Sequence, residues 1–321
     1  MNAIMADDGS FYYQIQGSAE GTNYNIIYQD DEDRDFQPEI EKLLSGFEKS
    51  LSVYDPDSVI SRINRNEDIA IDNFFEAVFN KAKAISILTE GAFDISAEPL
   101  FRAWGFSAQE KSIPDNGQIE ILKKQIGLDK IEIKDRKIIK SMPEAVLNVN
   151  AIAKGYSADV TASFLDEKGC KNYLVEIGGE IYLKGVNTQG EPWRIGIDRP
   201  SENNLIPGQD LQVILQLTDR GIATSGNYRQ FYVDNGQKVT HTIDPRTGYP
   251  VKHNLLSTTV IAPDTMTADA FATAFMVGGM DKVTEWIDSY PDLEALFICD
   301  EEGEYKVYYT EGVEEYIINV N

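Results

Sequence analysis

Helix and strand signals come in blocks along this chain, and that grouping limits the fold more than any other feature. Residues 37–50 carry Ile40, Leu43, Leu44 and Phe47 at the i, i+3, i+4, i+7 spacing of an amphipathic helix. A second helix is predicted over about 72–90, with Phe75, Val78, Phe79, Ala82 and Ile85 on one face. A shorter one near 116–126 follows the start signal Pro114-Asp115, and another is expected at about 154–167. Residues 11–28 read as two strands around a glycine-containing turn, and 173–184 as two strands broken at Gly178-Gly179. More strands fall at 192–198, 211–218, 228–233 and 256–262. Helices at about 267–277 and 280–289 precede a closing hairpin through 294–310, which turns at Glu301-Glu302-Gly303. Without regular strand–helix–strand alternation, the pattern predicts an α+β fold of mostly antiparallel sheets flanked by helices.

The 321 residues suffice for one domain over 1–321, or for two closely packed subdomains with a cleft between them. A hydrophobic content of 42%, with 16 Tyr, 14 Phe and 3 Trp, supplies a substantial core and argues against disorder. With 29 Lys and Arg against 53 Asp and Glu, the net charge is −24. A field of that sign repels phosphate backbones, so nucleic-acid binding is a poor reading. An anionic nucleotide would need a metal, a lysine or a helix N-terminus to override the field locally.

Cys170 and Cys299, the only two cysteines, rule out a disulfide scaffold or a four-cysteine zinc site. No run of 18 apolar residues is present, so no transmembrane segment is expected. The first residues show no basic segment followed by an apolar one, which fits either a cytoplasmic protein or a trimmed mature form. Dinucleotide-fold, P-loop and zinc-protease signatures are missing, and with only His241 and His253 a multi-histidine metal site is impossible.

Four segments could carry chemistry. In Thr267-Ala-Asp-Ala-Phe-Ala-Thr273, Asp269 and Thr273 stand at i and i+4 of a helix. A carboxylate and a hydroxyl one turn apart suit a hard cation such as Mg²⁺, although helix-dipole and packing roles explain them as simply. Alanines at 268, 270, 272 and 274 let another backbone come close. In Ala151-Ile-Ala-Lys-Gly155, Lys154 is either a surface lysine beside a glycine or, being electrostatically misplaced at a helix start unless an anion sits there, a phosphate ligand. His241-Thr-Ile-Asp-Pro-Arg-Thr-Gly248 is good turn chemistry, with His241 as either a base or a structural group. Phe93, Trp104 and Phe106 are either core or the walls of a planar ligand.

Taken in order, these segments resemble the ApbE family of FAD:protein FMN transferases. The resemblance runs from Gly21-Thr22 to about Gly279. It includes Tyr54-Asp-Pro-Asp-Ser58, Gly91-Ala-Phe-Asp94, Trp104-Gly-Phe106, Glu176-Ile-Gly-Gly-Glu180, Trp193-Arg-Ile-Gly196, Ala223-Thr-Ser-Gly-Asn-Tyr228 and the motifs above.

The resemblance implies a T-fold-like architecture and a Mg²⁺-dependent enzyme that moves the FMN half of FAD onto a threonine of a flavoprotein and releases AMP. It implies metal binding by Asp269, Thr273 and the backbone carbonyl of Ala151. Lys154 would sit among the FAD phosphates and His241 near the reacting phosphate, with His241 and Asp269 the catalytic pair. Tyr54, Glu98, Gly179, Glu180 and Ser225 would line the FAD cleft. The acceptor would bear an Asp-Gly-x-Thr-x-Ala-Thr motif, and the site of action would be periplasmic, with a lipid-anchored precursor; a cytoplasmic location is the alternative.

Two rivals share these residues: an FAD pyrophosphatase using water as nucleophile, and a non-catalytic FAD binder. Many relatives have Asp-Leu-Gly-Gly where this chain has Asn148-Val-Asn150-Ala151, a lost carboxylate that bears on metal affinity. Asp219-Arg-Gly-Ile-Ala-Thr224-Ser225 imitates the acceptor motif with the wrong spacing, so this chain is expected to donate flavin and not to carry it.

Overall fold

One long sheet takes its strands in the order in which the chain makes them, and the helices enter as insertions between neighbours. The computed structural model describes residues 1–107, 113–201, 204, 208–227, 231–234 and 237–320. Strands β1 (Asn2–Met5), β2 (Phe11–Ala19) and β3 (Thr22–Gln29) begin the sheet. Helices α1 (Gln37–Leu51), α2 (Val59–Asn64), α3 (Asn73–Leu88), α4 (Glu98–Ala103) and α5 (Asn116–Lys123) follow. A hairpin of β4 (Ile131–Lys134) and β5 (Lys137–Lys140) leads to α6 (Ala153–Glu167).

The sheet resumes with β6 (Tyr173–Ile177) and β7 (Glu180–Lys184), leaves through β8 (Trp193–Asp198) and β9 (Leu211–Leu217), and resumes at β10 (Arg220–Gly226). Two small hairpins come next, β11 (Phe231–Asp234) with β12 (Gln237–Thr240) and β13 (Ile243–Asp244) with β14 (Tyr249–Pro250). Then come β15 (Leu255–Ala262), α7 (Thr265–Gly278), α8 (Val283–Ser289), β16 (Glu294–Glu301) and β17 (Glu304–Tyr309). The final strand β18 (Ile317–Val320) joins β9 and β8 in a three-stranded sheet.

The nine-stranded sheet runs β1-β2-β3-β6-β7-β10-β15-β16-β17. Every neighbouring pair in it is antiparallel, as the grouping of signals predicts. The expected strand at 228–233 begins at Phe231, and residues 228–230 lie outside the described residues.

Side chains alternate across each strand, and both faces of the central strands are covered. Ile222, Ile261, Leu296 and Ile298 pack against Trp193, Ile195, Val213 and Leu215 of the smaller sheet. Their neighbours Ala223, Val260, Ala295 and Phe297 face α3 and α7, where Phe79, Phe271 and Phe275 fill the core. Toward β3 and β6, Tyr24, Ile26, Tyr173 and Val175 pack on Ile40 and Leu44 of α1 and Ala158 and Leu165 of α6. Burial on both faces explains apolar runs such as Ala295–Cys299, where no in-out alternation is left to read.

Helix α7 has Ala268, Ala270, Phe271, Ala272 and Ala274 completely buried, and the close approach expected of its alanines is made by two glycines. A Cβ at Gly155 of α6 would lie 2.4 Å from the Thr265 carbonyl oxygen and 2.8 Å from Asp269 Cβ. One at Gly221 of β10 would lie 2.3 Å from Thr265 N. The start of α7 is therefore pressed between α6 and the sheet. Its first N–H groups are also satisfied from two directions: Asp264 accepts from Thr267 N at 2.7 Å, and Asp159 of α6 accepts from Thr265 N and Met266 N, both at 2.8 Å. Burial pushes the Asp159 carboxyl up to about 7, so above that pH Asp159→Ala removes two charge-assisted bonds and a favourable dipole contact together, and is expected to cost about 2–4 kcal/mol of stability in denaturant melts at pH 8.

Several elements escape the sequence pattern. Helices α2 and α4, six residues each, are too short to display a helical period. The β4–β5 hairpin turns at Asp135-Arg136, with φ of 51° and 57°, a conformation usually signalled by Asn-Gly or Asp-Gly. The acceptor-like stretch at 219–225 largely forms β10, which is paired on both sides by β7 and β15.

Candidate functional site

A cleft of about 1270 Å³ gathers side chains from α4, the 146–154 segment, β7, β10, the 241–245 segment and α7. Asp269, in the second turn of α7, is 4% exposed and accepts from Gly155 N at 3.1 Å, which ties it to the opening turn of α6. Thr273, one turn on, lies 3.4 Å from Ser225 Oγ of β10. Ala151 lines the same cleft just before α6. A carboxylate, a hydroxyl and a nearby carbonyl are oxygen donors of the kind a hard divalent cation takes. Among the described residues no group of three or more His, Cys, Asp or Glu converges as a metal site, so any cation here has to rely on this mixed set.

Lys154 is the cation beside Asp269 and Glu180. Its ammonium is 2.6 Å from Glu180 Oε1, and Glu180 is only 4% exposed, with Oε2 lacking any hydrogen bond among the described residues. Burial pushes the carboxyls of Glu180 and Asp269 up, with Lys154 pulling both back. Burial by itself would lower the Lys154 ammonium; Glu180 and Asp269 more than reverse that and raise it. Two buried carboxylates thus share one ammonium, and α6 opens at Ile152 without a side-chain cap. A buried surplus of negative charge beside an uncapped helix start favours a divalent cation together with a bound phosphate.

The other expected residues fall around the same space. His241 lines the cleft with its ring 6.3 Å from that of Phe106, edge to face. Tyr54 is 82% exposed at the rim, its hydroxyl accepting from Asn150 Nδ2 at 3.2 Å. Glu98, at the start of α4, is buried and accepts from Asn148 Nδ2 at 2.8 Å. Gly179 is exposed at the β6–β7 turn, and the wall is made by its neighbour Gly178. A Cβ at Gly178 would press on Thr22 and Lys154 at 2.9 and 3.0 Å, so its φ of 66° and its lack of a side chain are both required. Phe93 and Phe106 line the cleft, whereas Trp104 is buried with its indole donating to Gly248 O.

The sequence alone did not single out Arg102, Ser107 or Glu20. Arg102 and Ser107 stand beside Glu98 in the cleft. Glu20, in the β2–β3 turn, is pushed up to about 8 by burial and by Glu48 and Glu180, with a Ser157 hydrogen bond and Lys154 acting against them. No local motif marks a lone glutamate in a turn.

Comparison with known proteins decides the family. The sequence model of the ApbE family matches residues 21–297. The chain belongs to the ApbE family.

Among its relatives, the FAD:protein FMN transferase of Haemophilus influenzae is 35% identical over 286 residues, covering 84% of this chain and 82% of the relative. That of Vibrio cholerae is 36% identical over 277 residues, with the same coverage. The structure of flavin transferase ApbE from Vibrio cholerae superposes with a TM-score of 0.84 at 34% identity, over 95% of this chain and 99% of that one. The apo flavinyl transferase ApbE of Pseudomonas stutzeri gives 0.85 at 28% identity, over 95% and 96%. These likenesses bear out the α+β architecture and make the chain a transferase of this family.

Proposed function

We propose that this chain is a Mg²⁺-dependent FAD:protein FMN transferase, which cleaves FAD, attaches FMN by a phosphoester bond to a threonine of a flavoprotein, and releases AMP. The supporting observation is the convergence of Asp269, Thr273, Ala151, Lys154, Glu180 and His241 on one large, aromatic-flanked cleft. The names of the relatives support the donor and the acceptor class.

In this reading Asp269, Thr273 and the carbonyl of Ala151 hold the cation, which when bound supplies neutralisation of pyrophosphate charge. Lys154 and the first turn of α6 orient the phosphates, and Glu180 keeps the ammonium aimed. The acceptor hydroxyl oxygen forms a bond to the FMN phosphorus while the bond from that phosphorus to the AMP oxygen breaks. His241 or a carboxylate takes the hydroxyl proton. We place the reaction in the periplasm, on the resemblance alone; cell fractionation tests that part.

The deciding experiment incubates the protein with FAD, Mg²⁺ and an acceptor bearing Asp-Gly-x-Thr-x-Ala-Thr. A fluorescent acceptor in the gel with matching AMP is expected, lost on adding EDTA and recovered with excess Mg²⁺. AMP with free FMN and no labelled acceptor would make the enzyme a pyrophosphatase; binding without AMP would leave a flavin binder.

A further inference from the structure

We propose that Glu98 and Asn148 form one matched pair, which holds a single carboxylate charge against a ring N–H of bound FAD. This rests on the FAD reading above and adds the residues that recognise the ring. The Asn148 side chain is fixed at both ends: Oδ1 accepts from Asn150 N at 3.0 Å, and Nδ2 donates to Glu98 Oε2 at 2.8 Å. Its backbone N donates to Ile95 O at 2.7 Å, so the amide cannot swing away. Ser107 Oγ donates to the same Glu98 oxygen at 3.2 Å.

The other carboxylate oxygen, Oε1, has the exposed Arg102 guanidinium 3.7 Å away. Glu98 itself is 7% exposed, and Phe93, Phe101 and Phe106 line the cleft with it.

An aspartate at 148 could accept the Asn150 N–H, but it could not donate to Glu98. It would set two carboxylates against each other, and one would be driven to protonate. An amide at 148 therefore leaves the charge on Glu98 and orients it. A flat heterocycle between the phenylalanines would offer an N–H to Oε1 and a neighbouring acceptor atom to Arg102. Both the flavin imide and the adenine amine present that edge.

The test measures binding of FAD, FMN and ADP to the full chain by flavin fluorescence and competition at pH 8. Glu98→Gln and Asn148→Asp are each expected to weaken FAD about tenfold. The exchanged variant, Glu98→Gln with Asn148→Asp, restores one charge and one amide and is expected to recover most of the loss. Loss confined to FMN assigns the imide, and loss confined to ADP the adenine amine; either supports the pair. Additive losses in the exchanged variant, or unchanged affinity for all three ligands in Glu98→Gln, overturn it. Failure of the unaltered protein to bind FAD would instead overturn the function reading on which the pair rests.

Discussion

Asp269→Asn is expected to lower FAD-dependent AMP release by about 10²- to 10³-fold, the scale of removing one well-placed electrostatic group from an active site. The substitution keeps the shape of the side chain and an oxygen able to accept the Gly155 N–H, so the α6–α7 contact survives. What disappears is one of two buried carboxylates that share Lys154. Without it the site loses an anionic ligand for a cation, and Lys154 keeps its 2.6 Å ion pair with Glu180. Chromatographic AMP at saturating FAD, repeated over a Mg²⁺ series, is the measurement. A right-shifted Mg²⁺ dependence with an unchanged melting temperature places the defect at the metal. Full Mg²⁺-dependent turnover in this variant would remove Asp269 from that role.

The same residue shows what a sequence can and cannot disclose. Asp269 and Thr273 are legible because a helix fixes i and i+4 on one side, and α7 obliges. Lys154 is legible because a cation at a helix start asks for an anion. The pairing Lys154–Glu180 is not, since it joins α6 to β7 across 26 residues and depends on how the sheet is covered. Asn148 and Glu98 are farther apart still, 50 residues, and only the packed α4 brings the amide to the carboxylate.

The sheet itself was readable in class and in most strands, since Gly178-Gly179 and Glu20-Gly21 announce their turns by glycine. The Asp135-Arg136 turn announces nothing, and β10 was hidden inside a motif read for its chemistry. Local chemistry shows in the chain where one element supplies both partners, and is hidden where two elements do.

Glycine to alanine in a helix should change sign between Gly46 and Gly155, and that contrast tests how the site is built. Gly46 lies exposed in α1, and a Cβ there would meet nothing within 4 Å among the described residues. Alanine at that position lowers the entropy of the unfolded chain at no steric cost, and is expected to stabilise by about 0.5–1 kcal/mol. Gly155 is buried in α6, and its Cβ would collide with the Thr265 carbonyl and with Asp269 Cβ. The Thr265 backbone is held by the cap from Asp159, so the closer of the two does not yield easily. Gly155→Ala is therefore expected to cost about 1–3 kcal/mol as an overpacked contact. Because one of the atoms it presses on belongs to Asp269, turnover should fall further than stability alone would explain. Denaturant melts give the two stabilities, and AMP release well below the melting temperature separates folding from chemistry. Equal activity in the two variants would mean that the α6–α7 contact carries the fold but does not set the position of Asp269.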